Sequence, residues 1–346
     1  MVDLLYFVAF ILCIVVVAQV FRVYELILEL KGGGSKDVEV TEGENKTMAW
    51  FYAISLVMFF GFYAWCYINY SEHLLPEAAS VHGEAIDKLL DFNFLMINIV
   101  FVITIIPLFL FPLKYYYRKS RKALFYPVNH KLEIIWTIVP SIAMTVVIVW
   151  GLRTWNEIFE PAPEDATRVE LFAKQFDWTV RYSGVDGKLG NYNYRLIGGM
   201  NGLGLDPNDE NVNDDKIVKG EFHLPVNRSV SFAFRSQDVI HSAYMPHFRA
   251  QMNCVPGMTT QFHFVPTKTT EEMRNITGNP EFDYILLCNK ICGIAHYNMQ
   301  MTIVVESEED YNSWLAEQKT VEEKGILVGL KEAEKTDDIN LLAENK

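Results

Sequence analysis

Long apolar runs alternate with short polar segments over the first 155 residues of this 346-residue chain. Four of these runs contain no Asp, Glu, Lys or Arg and have 18 to 25 residues. A helix needs roughly 20 apolar residues to cross the hydrocarbon core of a bilayer. The pattern therefore predicts four transmembrane helices, at 4–21, 47–71, 92–113 and 134–152.

The charged loops predict the orientation of these helices. Between the third and fourth runs lie six basic residues, from Lys114 to Lys131, with no acidic residue before Glu133. Loops rich in Lys and Arg stay on the cytoplasmic side of a membrane. The loop between the second and third runs is acidic instead. We therefore expect that loop and the C-terminal half of the chain on the outer side.

After residue 155 the pattern changes to short β-prone runs separated by turn residues. Several runs alternate apolar with small or polar residues, as Val230-Ser-Phe-Ala-Phe234 does, which is typical of half-buried strands. Regular spacing of such runs predicts an antiparallel all-β sandwich or barrel. The runs lie at 169–173, 178–182, 217–224, 230–234, 259–265, 284–287 and 301–305.

The segments between and after these runs have simpler compositions. Residues 184–220 are rich in Gly, Asn and Asp and are expected to form a solvated surface loop. Residues 308–318 carry apolar side chains at helical spacing, which predicts a helix that covers the domain. The mixed-charge residues 319–346 predict a loosely ordered tail, and Lys31-Gly-Gly-Gly-Ser35 predicts a flexible turn.

Charge and cysteine content exclude some classes of function. The formal net charge is −13, which argues against binding to nucleic acid. Of the five cysteines, Cys13 and Cys66 fall inside apolar runs, so the chain has no disulfide framework. A C-x-x-C-H motif does not occur in the sequence, so we expect no covalently attached haem c.

The richest candidate chemistry lies in the twelve residues from Cys288 to Met299. They contain two thiols, Cys288 and Cys292, together with the imidazole of His296 and the thioether of Met299. Soft sulfur ligands select copper(I), zinc or iron–sulfur clusters, and a thioether beside Cys and His is typical of electron-transfer copper. A second imidazole, His241, lies upstream. The residues alone also allow a disulfide, a zinc site or simple burial of both thiols.

His241 and the C-x3-C-x3-H-x2-M motif together resemble the dinuclear CuA centre of cytochrome c oxidase subunit II. The resemblance extends over most of the chain after residue 91, and it implies a cupredoxin-like Greek-key barrel with two copper ions. By position, the bridging thiolates of the family fall on Cys288 and Cys292. The remaining implied ligands are His241 and Met299 for one ion, and His296 and the backbone carbonyl of Lys290 for the other.

A second similarity lies at the start of the fourth apolar run. Leu132-Glu133-Ile-Ile-Trp136-Thr137-Ile-Val-Pro140 resembles the L-E-x-x-W-T-x-x-P signature of the same family. There the Glu stands at the mouth of a proton channel of subunit I, a role that Glu133 would inherit. The alternative is an interfacial carboxylate paired with Lys131 and hydrated at the membrane surface.

The sequence departs from the family in two places that bear on function. Relatives often carry Q-W-x-W, whereas this chain has Gln175-Phe176-Asp177-Trp178, so Phe176 and Trp178 are the candidate residues for receiving electrons. Relatives usually have Glu between the two cysteines, where it helps to bind Mg²⁺ at the junction with subunit I. Lys290 stands there instead, and an ammonium cannot ligate Mg²⁺.

Family members commonly have two transmembrane helices, so residues 1–71 are an addition that we interpret as a hairpin packing on a partner subunit. The expected domains are this hairpin, a subunit II-type hairpin at 72–155, a CuA domain at 156–306, and a C-terminal helix with a charged tail at 307–346.

The resemblance implies the subunit of a haem-copper oxidase that accepts electrons from a c-type cytochrome, soluble or membrane-bound, and passes them to haem in subunit I, where O2 is reduced and protons are pumped. Subunit I, other membrane subunits and lipid are the expected partners, and the bacterial inner (plasma) membrane is the expected location, with the CuA domain on the periplasmic side. The alternatives are the CuA subunit of a nitric-oxide or nitrous-oxide reductase and a membrane copper-binding protein without enzymatic activity.

Overall fold

The computed structural model describes residues 2–31, 41–199 and 201–326. Its first part consists of four long helices, and each is long and apolar enough to cross a membrane. The number agrees with the four transmembrane helices predicted from the apolar runs. The Gly-rich turn expected at 32–35 and residues 327–346 of the expected loose tail lie outside the described residues. The described start of that tail, 319–326, is not loose, because Val321 is fully buried and its N–H donates to the carbonyl of Asp215 at 2.8 Å. The helices are α1 (Val2–Lys31), α2 (Glu42–Tyr70), α3 (Val81–Tyr115) and α4 (His130–Ile158).

The chain forms two compact units, with divisions within α2 and within α3. The first contains α1, most of α2 and the C-terminal part of α3, and aromatic rings of the last two are in contact: Phe59 lies 5.8 Å from Phe101, and Tyr52 lies 5.9 Å from Phe109. The second contains the end of α2, the N-terminal part of α3, α4 and all of the β structure. The helices continue past the apolar runs because polar turns, such as the N-cap at Asn129 of α4, extend them.

In the described part of the chain after the helices, ten strands form two five-stranded sheets, in the orders β3-β2-β1-β5-β8 and β4-β10-β9-β6-β7. The pairing is antiparallel except where β1 meets β5 and β4 meets β10. The strands are β1 (Thr167–Lys174), β2 (Asp177–Tyr182), β3 (Lys216–Val218), β4 (Glu221–Pro225), β5 (Val230–Ser236), β6 (His241–Met245), β7 (Ala250–Cys254), β8 (Thr260–Phe264), β9 (Tyr284–Cys288) and β10 (Gln300–Glu306).

Side chains from both sheets share one hydrophobic core. In β5, Val230, Phe232 and Phe234 are fully buried and alternate with partly buried positions, as the sequence pattern predicts. Phe232 stacks on Phe264 of the neighbouring β8, with ring centroids 5.3 Å apart. The expected all-β barrel is therefore confirmed, with two parallel pairs in place of a purely antiparallel arrangement.

Three strand predictions need correction. The run 217–224 is two strands, β3 and β4, because Gly220 takes a positive φ of 90° between them. The hairpin of β6 and β7 was not predicted, since His, Ser, Asn and Gln interrupt its apolar pattern. As a result His241, which we expected in a loop, is the first residue of β6.

The insertion at 184–220 was expected to be a solvated loop, but much of it is buried. Leu203, Leu205 and Val212 pack with Phe172 of β1 in a second apolar cluster. Beside this cluster Arg181 donates to Glu170 at 2.5 Å and to Asp215 at 2.8 Å, and all three side chains are at most 2% exposed. The insertion is thus fastened to the outer face of the first sheet by both apolar contacts and ion pairs.

Two short helices complete the β domain. The helix predicted at 308–318 is present as α6 (Glu308–Glu317), where Trp314 stacks on His223 with ring centroids 4.0 Å apart. The other, α5 (Thr270–Thr277), was not predicted. Its sequence signal is a capping box in which Thr269 and Glu272 each accept the other's backbone N–H.

The start of α3 is fixed to the β domain within the second unit. Arg249 donates to both carboxylate oxygens of Asp87, at 2.9 and 2.8 Å, and the Ser80 hydroxyl donates to the carbonyl of Phe248 at 2.7 Å. A bidentate Arg–carboxylate pair fixes orientation as well as distance. The start of α3 and the turn between β6 and β7 therefore meet through directional contacts.

Candidate metal centre

The candidate ligands converge where β6 begins and β9 ends. These strands are neighbours in the second sheet, with Ala243 opposite Cys288, so His241 and Cys288 lie at the same end of the barrel. From Cys288 the chain continues through a loop and a short turn of helix, His296–Asn298, to Met299, which immediately precedes β10. Antiparallel pairing of β9 with β10 brings both ends of this loop together.

Each predicted donor atom lies within 4 Å of a cysteine sulfur. The Cys288 sulfur is 3.8 Å from Nδ1 of His241 and 3.2 Å from the carbonyl oxygen of Lys290. The Cys292 sulfur is 3.6 Å from Nδ1 of His296 and 3.8 Å from the thioether sulfur of Met299. The structure thus brings together all six atoms that the sequence motif nominates.

These separations suit ligands that surround a metal. Ligand atoms about 2.0 to 2.3 Å from a tetrahedral metal ion lie about 3.3 to 3.8 Å from each other. The two cysteine sulfurs are 3.9 Å apart, whereas a disulfide requires about 2.05 Å, so both thiols are free. Two cysteine thiols, two imidazoles and a thioether form a donor set that favours copper over zinc.

Burial makes protons compete with a metal for the cysteine ligands. Met299 is 1% exposed, Cys292 5% and Cys288 8%, and His241 is fully buried. Burial, and then the nearby Cys288, raise the pKa of the Cys292 thiol to about 11. Without a cation this thiol stays protonated at neutral pH, and a bound metal would displace the proton to obtain a thiolate ligand.

A carboxylate outside the ligand set fixes the orientation of His241. The Nε2 atom of His241 lies 2.9 Å from Asp238, so Nδ1 is left free to face the cysteines. Asp238 also accepts the backbone N–H groups of Gln175, at 2.8 Å, and Val239, at 2.7 Å. Burial opposes ionisation of Asp238, but these hydrogen bonds outweigh it and lower the pKa of the carboxyl group.

The turn between β1 and β2 lies against the loop that carries the cysteines. Its Gln175 side-chain amide donates to the carbonyl of Cys292. Its Phe176 ring is so close to Gly293 that a Cβ atom at this glycine would lie 2.8 Å from the ring. Sequence analysis did not single out Gln175, Asp238 or Gly293 for these contacts, because the partners are far apart in the chain.

The two aromatic residues proposed to receive electrons occupy different environments. Trp178 is 1% exposed and its ring lies 6.3 Å from that of His241. Phe176 is half-buried beside Gly293. Both therefore lie next to the candidate metal centre, Trp178 in the core and Phe176 nearer the surface.

Glu133 lies elsewhere, in the first turn of α4. Its carboxylate is 43% exposed and is 3.0 Å from Nδ1 of His130. The interfacial interpretation expected Lys131 as its partner, and the structure places His130 there instead.

Comparison with known proteins covers most of the chain. The family described as "Cytochrome C oxidase subunit II, transmembrane domain" matches residues 64–154, and "Cytochrome C oxidase subunit II, periplasmic domain" matches residues 170–308. Both apolar runs of the expected subunit II-type hairpin and all of the candidate ligands fall inside these matches. Residues 1–63 lie outside them.

Individual relatives agree with the family matches. The chain is 35% identical over 236 residues to the "Alternative cytochrome c oxidase subunit 2" of Bradyrhizobium diazoefficiens, which covers 68% of this chain and 80% of that protein. It is 22% identical to the cytochrome c oxidase subunit 2 of Thermostichus vulcanus, covering 77% of this chain and 85% of the relative.

Among solved structures, the periplasmic domain of subunit II of cytochrome oxidase from Bradyrhizobium japonicum shares 20% identity with this chain. The superposition covers 45% of this chain and 95% of the solved domain, with a TM-score of 0.30.

Proposed function

Because this chain belongs to the cytochrome c oxidase subunit II family, we propose that it is the subunit through which electrons enter a haem-copper cytochrome c oxidase. The chain is therefore part of an oxidoreductase complex whose oxygen chemistry takes place in another subunit. Its own contribution is a metal centre held at one end of a rigid β barrel.

The observation that carries this proposal is the convergence of six donor atoms around two cysteine sulfurs. The sulfurs stand 3.9 Å apart, and each has its own imidazole: His241 beside Cys288 and His296 beside Cys292. This pairing suits a dinuclear centre, in which Cys288 and Cys292 would both bridge two copper ions. Copper in such a site accepts and releases one electron at a time.

The residues of this chain would keep that transfer fast by preventing motion. Cys288 is the last residue of β9 and Met299 immediately precedes β10, so these strands hold the main chain at both residues. The Cys288 N–H also donates to the Met299 carbonyl at 3.0 Å. Asp238 fixes the ring of His241. A ligand set that barely moves needs little reorganisation when its charge changes.

The surface around this end of the barrel suits contact with another protein. Three side chains on the loop from Cys288 to Met299 are 88%, 92% and 87% exposed: Ile291, Ile294 and Tyr297. Exposed apolar side chains grouped beside a redox site indicate an interaction surface. We propose a c-type cytochrome, soluble or membrane-bound, as the donor, with subunit I and other membrane subunits as permanent partners.

The remaining features of the proposal concern the membrane side. Four apolar helices and a family-defined periplasmic domain make this a membrane protein, and we propose the bacterial inner membrane as its location. We propose that residues 1–71 form an added hairpin against a partner subunit and that Glu133 lies at a proton-channel entrance of subunit I. Relatives named as oxidase subunits favour this function over a nitric-oxide or nitrous-oxide reductase.

Electron paramagnetic resonance of the purified, copper-loaded oxidase tests the proposal. One unpaired electron shared equally by two copper nuclei gives seven hyperfine lines, whereas a single copper ion gives four. We expect the seven-line pattern with two copper ions per copy of this chain. A four-line spectrum, or tightly bound zinc in place of copper, would contradict the dinuclear assignment.

A further inference from the structure

The turn that joins β1 to β2 is hydrogen-bonded to the loop that precedes β6 and to the loop that follows β9. The backbone N–H of Gln175 donates to Asp238 at 2.8 Å, and the Gln175 side-chain amide donates to the carbonyl of Cys292. Asp238 in turn lies 2.9 Å from Nε2 of His241. A single residue outside the ligand set is thus connected through Asp238 to the histidine ligand that begins β6, and directly to a cysteine ligand on the loop after β9.

From these contacts we infer that Gln175 is a positioning residue that holds the loop before β6 and the cysteine loop after β9 at a fixed separation. This inference rests on the copper centre proposed above. Gln175 acts through Cys292 and Asp238, and its two hydrogen bonds define the distance between the main chain of one loop and the carboxylate of the other.

The chemistry of the side chain fits this role. A primary amide has a donor end and an acceptor end, and only the NH2 group can face a carbonyl oxygen. Glutamate at this position would place an acceptor against the Cys292 carbonyl, and an aliphatic side chain would leave that carbonyl without this donor. Partners that orient metal ligands typically change metal affinity by 10- to 100-fold when removed.

Close packing supports the same role independently of the hydrogen bonds. Gly293 follows Cys292 and has φ of +145°, which side chains rarely tolerate. A Cβ atom there would lie 2.8 Å from the Phe176 ring and 2.9 Å from Nε2 of Gln175. The turn therefore rests directly on the main chain of the Cys292 loop, so movement of one requires movement of the other.

The test compares two neighbouring substitutions in the purified oxidase. Gln175→Leu removes the amide at similar volume and adds no metal ligand. Lys174→Leu changes the adjacent exposed residue at the end of β1 and is the matched control. Gln175→Ala provides a second variant if leucine reduces the yield of folded enzyme.

Two readouts separate positioning from general stability: the copper hyperfine splitting in the resonance spectrum, and the rate at which a copper(I) chelator removes the metal from the reduced enzyme. For Gln175→Leu and Gln175→Ala we expect altered splitting and copper loss faster by about tenfold or more. For Lys174→Leu we expect both to match the unmodified enzyme.

The possible outcomes distinguish this inference from the function on which it rests. If folded, copper-loaded Gln175 variants have the spectrum and chelator rate of the Lys174→Leu control, Gln175 does not position the loops. If the unmodified oxidase shows no coupled-copper spectrum, the proposed centre itself fails before any variant is compared.

Discussion

At the residue scale, the side chains of the candidate centre would have two different roles: some would retain the metal, and others would adjust its reduction potential. Cys288 and Cys292 are the only pair of the described residues placed to bridge two ions, since each sulfur contacts the other and one imidazole. Met299 approaches a single sulfur, that of Cys292, at 3.8 Å. A weak axial thioether adjusts the reduction potential of copper more than it retains the metal.

We expect Cys288→Ser or Cys292→Ser to abolish the seven-line spectrum, because a hydroxyl does not replace a bridging thiolate. Met299→Leu should keep both copper ions and shift their reduction potential. Metal analysis, resonance spectra and redox titration of each purified variant measure these effects.

Cys254→Ser is the matched control, since Cys254 is a buried free thiol outside the ligand cluster. Complete loss of copper in Met299→Leu, or a coupled spectrum in Cys288→Ser, would reverse the assigned roles.

The backbone carbonyl and the side chain of Lys290 have separate consequences for metal binding. Its carbonyl oxygen lies 3.2 Å from the Cys288 sulfur, while its side chain is exposed. Every residue type offers the same carbonyl, so the change from the usual Glu leaves the expected copper ligand intact. The ammonium, however, cannot serve a cation that requires oxygen ligands.

We therefore expect the assembled oxidase to lack the Mg²⁺ that relatives bind at the junction with subunit I. Enzyme purified from cells grown with manganese should show no tightly bound Mn²⁺ resonance at this junction, and Lys290→Glu should restore one. Stoichiometric Mn²⁺ that resists chelators in the unmodified enzyme would refute this expectation. Lys174→Glu adds the same charge change at another exposed position and controls for nonspecific attraction of the cation.

The candidate ligands could be nominated because His241 and the C-x3-C-x3-H-x2-M motif resemble the CuA motif of the family, whereas the residue types alone left a disulfide or a zinc site open. Their supporting residues could not. Asp238 stands three residues before His241, but the role of Gln175 depends on two partners, 63 and 117 residues away along the chain. The hairpin of β1 and β2 ends in this turn, and the folded structure places it against Asp238 and Cys292.

At the element scale, apolar periodicity located most strands and failed where polar groups replace it. The hairpin of β6 and β7 carries His241, Ser242 and Asn253, because this part of the sheet serves the candidate metal centre as well as the core. The insertion at 184–220 was mistaken for a solvated loop for the opposite reason. Its overall composition is polar, but Leu203, Leu205 and Val212 are buried. Its Asp215 forms an internal ion pair with Arg181 rather than facing solvent.

These ion pairs yield a stability prediction. Arg181 donates to Glu170, Asp215 and the carbonyl of Gly190, and burial has left little water to replace it. Removing one member of a buried ion cluster typically costs about 3 to 5 kcal/mol. Here Asp215 would lose its cation, and Glu170 would keep only Arg235. Arg181→Met should therefore lower the free energy of unfolding by about this amount, measured by calorimetry of the purified chain in detergent.

A surface pair is the control for this prediction. Arg228 donates to Glu308 at 2.9 Å, but these side chains are 38% and 59% exposed. Pairs of this kind contribute about 0 to 1 kcal/mol, so Arg228→Met should have little effect on unfolding. Equal effects of the two substitutions would show that the buried cluster does not fasten the insertion.

At the scale of the whole molecule, charge and apolar surface are distributed unevenly. From residue 154 to residue 318 the chain has 23 acidic and 13 basic residues, a net charge of −10. The exposed loop beside the candidate metal centre is apolar instead, with Ile291, Ile294 and Tyr297. A protein that docks here would be attracted by the wide acidic field and held by the apolar loop.

This arrangement predicts that salt slows the encounter with a basic cytochrome more than it slows later steps. Charges separated by more than about 10 Å are largely screened at 0.1 M salt. The value of kcat/KM for a soluble basic cytochrome should fall by about tenfold or more between low and high ionic strength, because steering raises association rates by about 10- to 1,000-fold. An acidic cytochrome should not show this decline and serves as the control.

Ile294→Ser should weaken turnover at every salt concentration, since it removes apolar contact and leaves the charge unchanged. Turnover independent of salt would show that the acidic surface does not steer the donor, as expected if the donor cytochrome is bound permanently beside this chain.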